Sequence, residues 1–327
     1  MKKNRYVGLI AVVFMVLTFS SSAFAAQLRM LSAFHENFIF NVGATAKMIK
    51  NLEEISGGKM KVAFHGPDVI PTFEQFQPLQ AGIFDLSFTH ATYHAGTISV
   101  GVGMDATLAD PTKRRESGLF DFLDKEYNKL GVKLVALPPV APYHFITRNP
   151  LSGNKPSLAG LKMRSNPSLQ NTILALGGSP VTMAGGDVYT SLQRGVIDGA
   201  AWTLVGVKDF KWQEVANYMV RPTFGSISMM IAMNLDKYNS LPPEQQRWID
   251  EAGRKTELDS LEFFNNLIEE EIAFLQNQGM KVTNMHPEDK EQVEIYWNNG
   301  LWDMAKQSSP AAGPKFRELA IEKGMTR

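Results

Sequence analysis

The sequence predicts an α/β fold in two halves with a cleft between them. Three observations carry this: segments of helical and strand periodicity alternate, they do so in two separate series, and one apolar-striped helix is too long for a single small domain. The chain has 327 residues, 44% of them hydrophobic, and no cysteine. Its stability must therefore come from core burial without disulfides, and its length is enough for two such cores.

The N-terminus carries Lys2, Lys3 and Arg5, then an apolar run from Tyr6 to Phe19, then the small residues Ser20 to Ala26 interrupted by Phe24. A basic region, a short apolar stretch and an A-x-A site in that order predict a cleavable secretory signal peptide over 1–25, cut after Ala25. The apolar run falls short of the roughly 20 residues that a membrane span requires. Without a cysteine the export product is not a lipid-anchored protein. Of 33 basic residues three leave with the leader, which sets 30 against 33 acidic ones. That balance, with no Lys/Arg run, argues against a nucleic-acid partner.

From residue 26 the elements follow in order. Residues 28–34 read as a strand, and 37–55 as a helix with Phe40, Ala44, Met48 and Leu52 on one face. Gly57 and Gly58 stop it. A strand at 61–64, a helix at 73–81 and a short strand at 85–88 complete the first series. The second begins near Phe145, with a strand at 161–164, a helix at 168–176, a strand at 180–183, a helix at 188–194 and a strand at 197–202. Ligands on such sheets bind beyond the carboxyl ends of the strands, where loops converge. From 243 to 278 apolar residues recur at Trp248, Ala252, Leu258, Leu261, Phe264, Ile268, Ile272 and Leu275, with Gly279 as the stop. At 1.5 Å per residue this helix spans roughly 50 Å, so it is expected to bridge both halves. The alternative, a coiled-coil dimer helix, is weakened because a strict heptad fails around Arg254 to Glu257. A helix whose apolar face is used internally predicts a monomer.

Several runs carry a resemblance to a known family. They are Leu158-Ala159-Gly160-Leu161-Lys162-Met163-Arg164, Leu176-Gly177-Gly178-Ser179-Pro180-Val181-Thr182-Met183, and Asp187-Val188-Tyr189-Thr190-Ser191-Leu192-Gln193-Arg194-Gly195-Val196-Ile197-Asp198-Gly199. Ile55 to Met60, Leu79 to Asp85 and Leu241-Pro242-Pro243 extend it. The chain resembles, in order and over its whole mature length, the solute-binding subunit of tripartite ATP-independent periplasmic (TRAP) transporters, DctP type. The resemblance implies a two-domain periplasmic binding protein fold with hinge strands and a domain-bridging helix. It places domain I at 26–146 plus about 226–262, and domain II at 147–225 plus about 280–327. It also implies a periplasmic protein that binds a small organic acid, does no chemistry on it, and hands it to a small and a large membrane permease subunit driven by an ion gradient.

The same resemblance singles out residues. Arg164 lies in the run similar to the family's carboxylate-binding arginine motif, and a planar guanidinium can hold a carboxylate by two parallel charge-assisted hydrogen bonds. His144 stands where sialic-acid binders carry a second arginine. Trp202 stands where those binders have asparagine and 2-oxo-acid binders have tryptophan, and its indole offers a flat wall and one N–H donor. The 2-oxo-acid binders also use a cation held by a downstream glutamate. None occurs in 223–227, so no metal or cofactor is expected. Gly185 and Gly186 replace a bulky aromatic of some relatives, which predicts extra cleft volume, unless they serve only a turn. Phe34, Phe88, Tyr93, Trp202 and Phe224 are expected walls, pointing to an aromatic or hydrophobic monocarboxylate. His35, His90 and Tyr93, on loops after the first-half strands, are expected to close over the solute's far end. His90 and His94 have metal-ligand spacing but lack the intervening glutamate of H-E-x-x-H.

Catalytic signatures are sparse: no G-x-S-x-G, no P-loop, no cysteine nucleophile, and Gly101-Val102-Gly103 lacks the third glycine of a dinucleotide fingerprint. A solute-binding protein without enzyme activity is the reading that follows. Two alternatives stay open: a sensor subunit presenting the same ligand to a receptor, and a periplasmic hydrolase using His90 or His144.

Overall fold

The computed structural model describes residues 26–326, so the expected leader over 1–25 lies outside the described residues. Two twisted sheets form the frame. The first contains β1 (Ala26–Ser32), β2 (Met60–His65), β3 (Leu86–Thr89), β4 (Val132–Ala136) and, from much later in the chain, β10 (Met230–Asn234), in the order β2-β1-β3-β10-β4. The second contains β5 (Tyr143–Thr147), β6 (Lys162–Ser165), β7 (Ser179–Thr182), β8 (Gly199–Thr203), β9 (Tyr218–Arg221) and β11 (Lys281–Asn284), in the order β11-β9-β5-β8-β6-β7. Within each sheet the strands joined by helices run parallel, β1 with β2 and β3, and β6 with β7 and β8. The strands that arrive from the other half, β10 and β5, run antiparallel to their neighbours.

The two crossing segments, 137–142 and 222–229, are tied to each other by backbone hydrogen bonds from Val140 to Ile227, Ile227 to Ala141 and Met229 to Pro138. They form a two-stranded ribbon between the sheets. The expected boundary at 146 falls inside β5, which is already the second sheet. The tail differs from expectation as well. β11 belongs to the second sheet, but the last helix, Ala312–Glu322, packs on the first half. There the Phe316 ring meets Phe122 at 5.5 Å, and Leu108 N–H donates to Met325 O at 2.8 Å. Burial of Phe316 drives that return. Gly103 permits it, since a Cβ there would overlap Trp302 and Phe316, and Gly101 similarly abuts the Tyr127 hydroxyl. These two glycines therefore serve close packing.

The bridging helix runs Pro243–Asn277. Its buried stripe is Ile249, Ala252, Gly253, Thr256, Glu257, Ser260, Phe264, Glu271 and Leu275, while Leu258 is exposed. The inward face is thus smaller and more polar than the apolar spacing predicts. Gly253 lets the helix rest directly on the Val135 carbonyl, and Ser260 Oγ donates to Gly43 O at 2.8 Å. Two buried glutamates tie it to the two halves. Glu257 accepts from Leu137 N–H at 2.7 Å and from Arg115 at 2.6 Å, in the first half. Glu271 accepts from the N–H groups of Gly206 and Lys208 at 2.8 and 3.0 Å, in the second.

Candidate functional site

Between the halves lies a cleft of about 490 Å³. The first half contributes Phe34, His35, Phe38, Phe73 and Tyr93, and the second contributes 184–187, Asp209 and Phe210. A second, inner cavity of about 10 Å³ is lined by Phe40, His90, Tyr93, Tyr143, Asn166, Trp202, Thr203 and Ile227. Tyr93 borders both spaces. The inner one is about the size of a single water molecule, and the halves touch directly where Phe210 stacks on Phe38.

Arg164 sits near the carboxyl end of β6 with only 1% of its surface exposed. Its Nε donates to Met183 O at 3.1 Å and its Nη1 to Ala201 O at 3.0 Å, and the guanidinium lies 4.7 Å over the Trp202 ring. Among the described residues no carboxylate forms an ion pair with it. Burial lowers its pKa, and the Tyr93 and Tyr143 phenols oppose that shift. The Tyr93 hydroxyl is itself pushed up to about 12 by burial, against the pull of Arg164, and stays a neutral donor. Tyr143 is also raised, chiefly by burial, and its hydroxyl accepts from Asn166 Nδ2 at 3.3 Å.

His144 is paired with Trp202 across β5 and β8, so both lie on one sheet face. Its Nδ1 accepts from Arg221 Nη1 at 3.3 Å, and its pKa is pulled down to about 3, by burial first and then by Arg221. The ring is neutral and its Nε2–H has no partner. It does not border either space. Trp202 is buried with its Nε1–H unpaired, inside an aromatic cluster of Phe38, Phe40, Phe210 and Trp212 with centroids 5.2 to 6.3 Å away.

Several expectations are corrected by this geometry. The volume expected above Gly185 is occupied: a Cβ there would stand 2.8 Å from Phe210 and 2.9 Å from Trp202, so these rings fill the space of the missing side chain. Gly186, with nothing within 4 Å, is the open position. Phe224 packs on Tyr143, Phe145 and Trp297 and lines neither space. Phe88 lies 6.3 Å behind Phe34 and also lines neither. His35 is exposed at the rim, 3.2 Å from Asp68. His90 borders the inner cavity but both ring nitrogens are engaged, Nδ1 with Thr92 Oγ1 at 2.6 Å and Nε2 with Asp105 Oδ2 at 2.8 Å. His94 turns instead to the Tyr127 hydroxyl at 2.8 Å, so the two histidines diverge. Among the described residues no group of three or more His, Cys, Asp or Glu side chains could hold a metal ion.

Phe38, Phe40, Phe73, Tyr143, Asn166, Thr203, Asp209 and Phe210 line the two spaces without being candidates from the sequence. Asn166 had a local signal, standing two residues beyond Arg164 and just past the end of β6. The 204–211 loop had none, because its approach to Phe38 is set by tertiary packing.

The family model for DctP, described as bacterial extracellular solute-binding protein, family 7, matches residues 35–307. An ectoine-binding periplasmic protein, TeaA, of Halomonas elongata is 24% identical over 62% of this chain and 57% of its own length. A monocarboxylate 2-oxoacid-binding periplasmic protein of Nostoc is 24% identical over 85% of this chain and 80% of its own. Among solved structures, a TRAP periplasmic solute-binding protein of Desulfovibrio salexigens with bound orotic acid superposes with TM-score 0.80 at 20% identity, covering 91% of this chain and 98% of that one. A Bordetella pertussis extracytoplasmic solute receptor binding pyroglutamic acid gives 0.80 at 15% identity, covering 91% and 100%. Two sheets joined by a crossing ribbon and a bridging helix, with a buried arginine facing no acid, stand in a chain matched from 35 to 307: the protein belongs to the DctP family of bacterial extracellular solute-binding proteins, family 7.

Proposed function

We propose that this protein is the periplasmic solute-binding subunit of a TRAP transporter, which captures a small organic carboxylate on Arg164 and delivers it to the small and large membrane permease subunits. The carrying observation is the Arg164 guanidinium, buried and without an ion pair among the described residues. A charge removed from water without a counter-ion costs several kcal/mol, and a bound carboxylate supplies what is missing. Tyr93, Asn166 and Thr203 around the inner cavity offer the further polar contacts.

The cargo is a flat or apolar monocarboxylate, aromatic or 2-oxo. Phe34, Phe38, Phe73 and Phe210 line the cleft; Arg164 itself borders neither space and lies over Trp202, which lines the inner one. A ring among such walls gains both burial and edge or face contacts. A bound orotic acid in one structural relative and a 2-oxoacid in the name of one sequence relative fit that class. Residues 1–25 direct export, and the protein works as a monomer because its long helix is used within the chain. Against the hydrolase alternative stand the burial of Thr92, the hydroxyl partner of His90, and the position of His144, which borders neither space.

A thermal-shift screen of aromatic, 2-oxo, aliphatic and sugar acids on the leaderless chain tests the cargo. Stabilisation only by sugar acids overturns the aromatic and 2-oxo assignment. Calorimetry with the best acid then tests the anchor: Arg164→Ala is expected to weaken binding by about 2 to 5 kcal/mol. Unchanged affinity would remove Arg164 from the site.

A further inference from the structure

The loop that follows β8 does more than wall the cleft. Its start is fixed from behind by Glu271 of the bridging helix, through the N–H groups of Gly206 and Lys208. The next two residues reach across to the first half. Asp209 Oδ2 accepts from Ile39 N–H at 2.8 Å, and the Phe210 ring stacks on Phe38 at 4.6 Å with planes 30° apart. The receiving segment is equally well held. Asn41, buried, donates to Phe34 O and His35 O at 3.0 and 2.7 Å and accepts from Ser32 and Thr45 at 2.8 and 2.9 Å. Phe38 also lies against Gly206, at a place where a Cβ would stand 2.9 Å from the ring. A carboxylate and a ring carried by one stapled loop thus meet a backbone donor and a ring carried by another.

We propose that Asp209 and Phe210 are the closing latch of the cleft, positioning residues that hold the two halves together over the solute. Both line the cleft, whose lining does not include Arg164, so in the solute-free protein their effect is read on closure alone. A solute shifts the open–closed equilibrium only through its differential affinity. A latch adds a fixed, solute-independent share to the closed side, and the apparent affinity for any cargo then scales with the closed fraction.

The absence of cysteine makes the test direct. Glu74→Cys and Thr190→Cys place spin labels at exposed sites next to the two lips, and pulsed dipolar spectroscopy reads their separation in the leaderless chain without any solute. Asp209→Ala is expected to raise the open-to-closed ratio about tenfold, the scale of one hydrogen bond to a charged acceptor. Asp209→Asn, whose amide oxygen can still accept from Ile39 N–H, is expected to restore most of the closed population. Phe210→Ala opens the cleft by the other contact. A distance distribution unchanged in both alanine variants, with circular dichroism unaltered, overturns the latch, as does an asparagine variant as open as the alanine one. Because no acid is present, failure here leaves the Arg164 assignment standing, and failure of Arg164→Ala leaves the latch standing.

Discussion

Arg164 is held by groups that neutralise none of its charge. Two backbone carbonyls orient the guanidinium and the Trp202 face lies beneath it. An ammonium in its place lacks the planar fork that reaches both carbonyls and a carboxylate together. Arg164→Lys is therefore expected to lose at least tenfold in affinity for the acid found by the screen, read by calorimetry, with the far-ultraviolet spectrum unchanged. Trp202 offers a second test. Its Nε1–H is buried without a partner, so Trp202→Phe removes an unsatisfied donor and is expected to change apo stability by less than about 1 kcal/mol beyond the lost ring volume. A fall in affinity in that variant would assign the indole N–H to the solute. The motif singles out Arg164, and the structure shows that residue buried. The engagement of His90 by Thr92 and Asp105 was not legible in the sequence, because a partner 15 residues away is fixed by the fold.

At the scale of elements, the alternation of helices and strands was readable because side-chain period reports the local backbone. The helix expected over 243–278 is found at Pro243–Asn277. Its inward face departs from the apolar count, which favours Leu258, because the contact with β4 demands a residue without a side chain. A Cβ at Gly253 would overlap the Val135 carbonyl. Gly253→Ala is accordingly expected to destabilise the protein by about 1 to 3 kcal/mol, read from the denaturant midpoint, although alanine is the better helix former by about 1 kcal/mol. A stabilised variant would show that the helix stands off the sheet in solution.

The whole molecule carries a pH dependence through two buried rings. His94 and His144 are both pulled down to about 3, by burial first and then by the neighbouring His90 and Arg221 respectively. The unfolded chain protonates them near 6.5, the folded one only near 3, so stability is full above 6.5 and falls as the pH drops through that window. Each ring contributes a slope of up to about 1.4 kcal/mol per pH unit. Buried Glu257 and Glu271, raised chiefly by burial, act in the opposite sense. The difference between wild type and His144→Gln cancels them. Urea titrations between pH 6 and 4 are expected to give a shallower slope for His144→Gln, and equal slopes would place a charged His144 in the native state.

An α/β chain with two series of strands and a helix long enough to join them could be read from the sequence alone, as could, through its motif, the arginine proposed as the anchor. These are properties of short windows, where periodicity, glycine stops and residue chemistry act locally. Only the tertiary structure decided which half the C-terminal helix joins, that Phe210 and Trp202 fill the space above Gly185, and that Asp209 reaches Ile39. Each of these is a contact between segments far apart in the chain, chosen by which surfaces bury best together, and no local pattern encodes it.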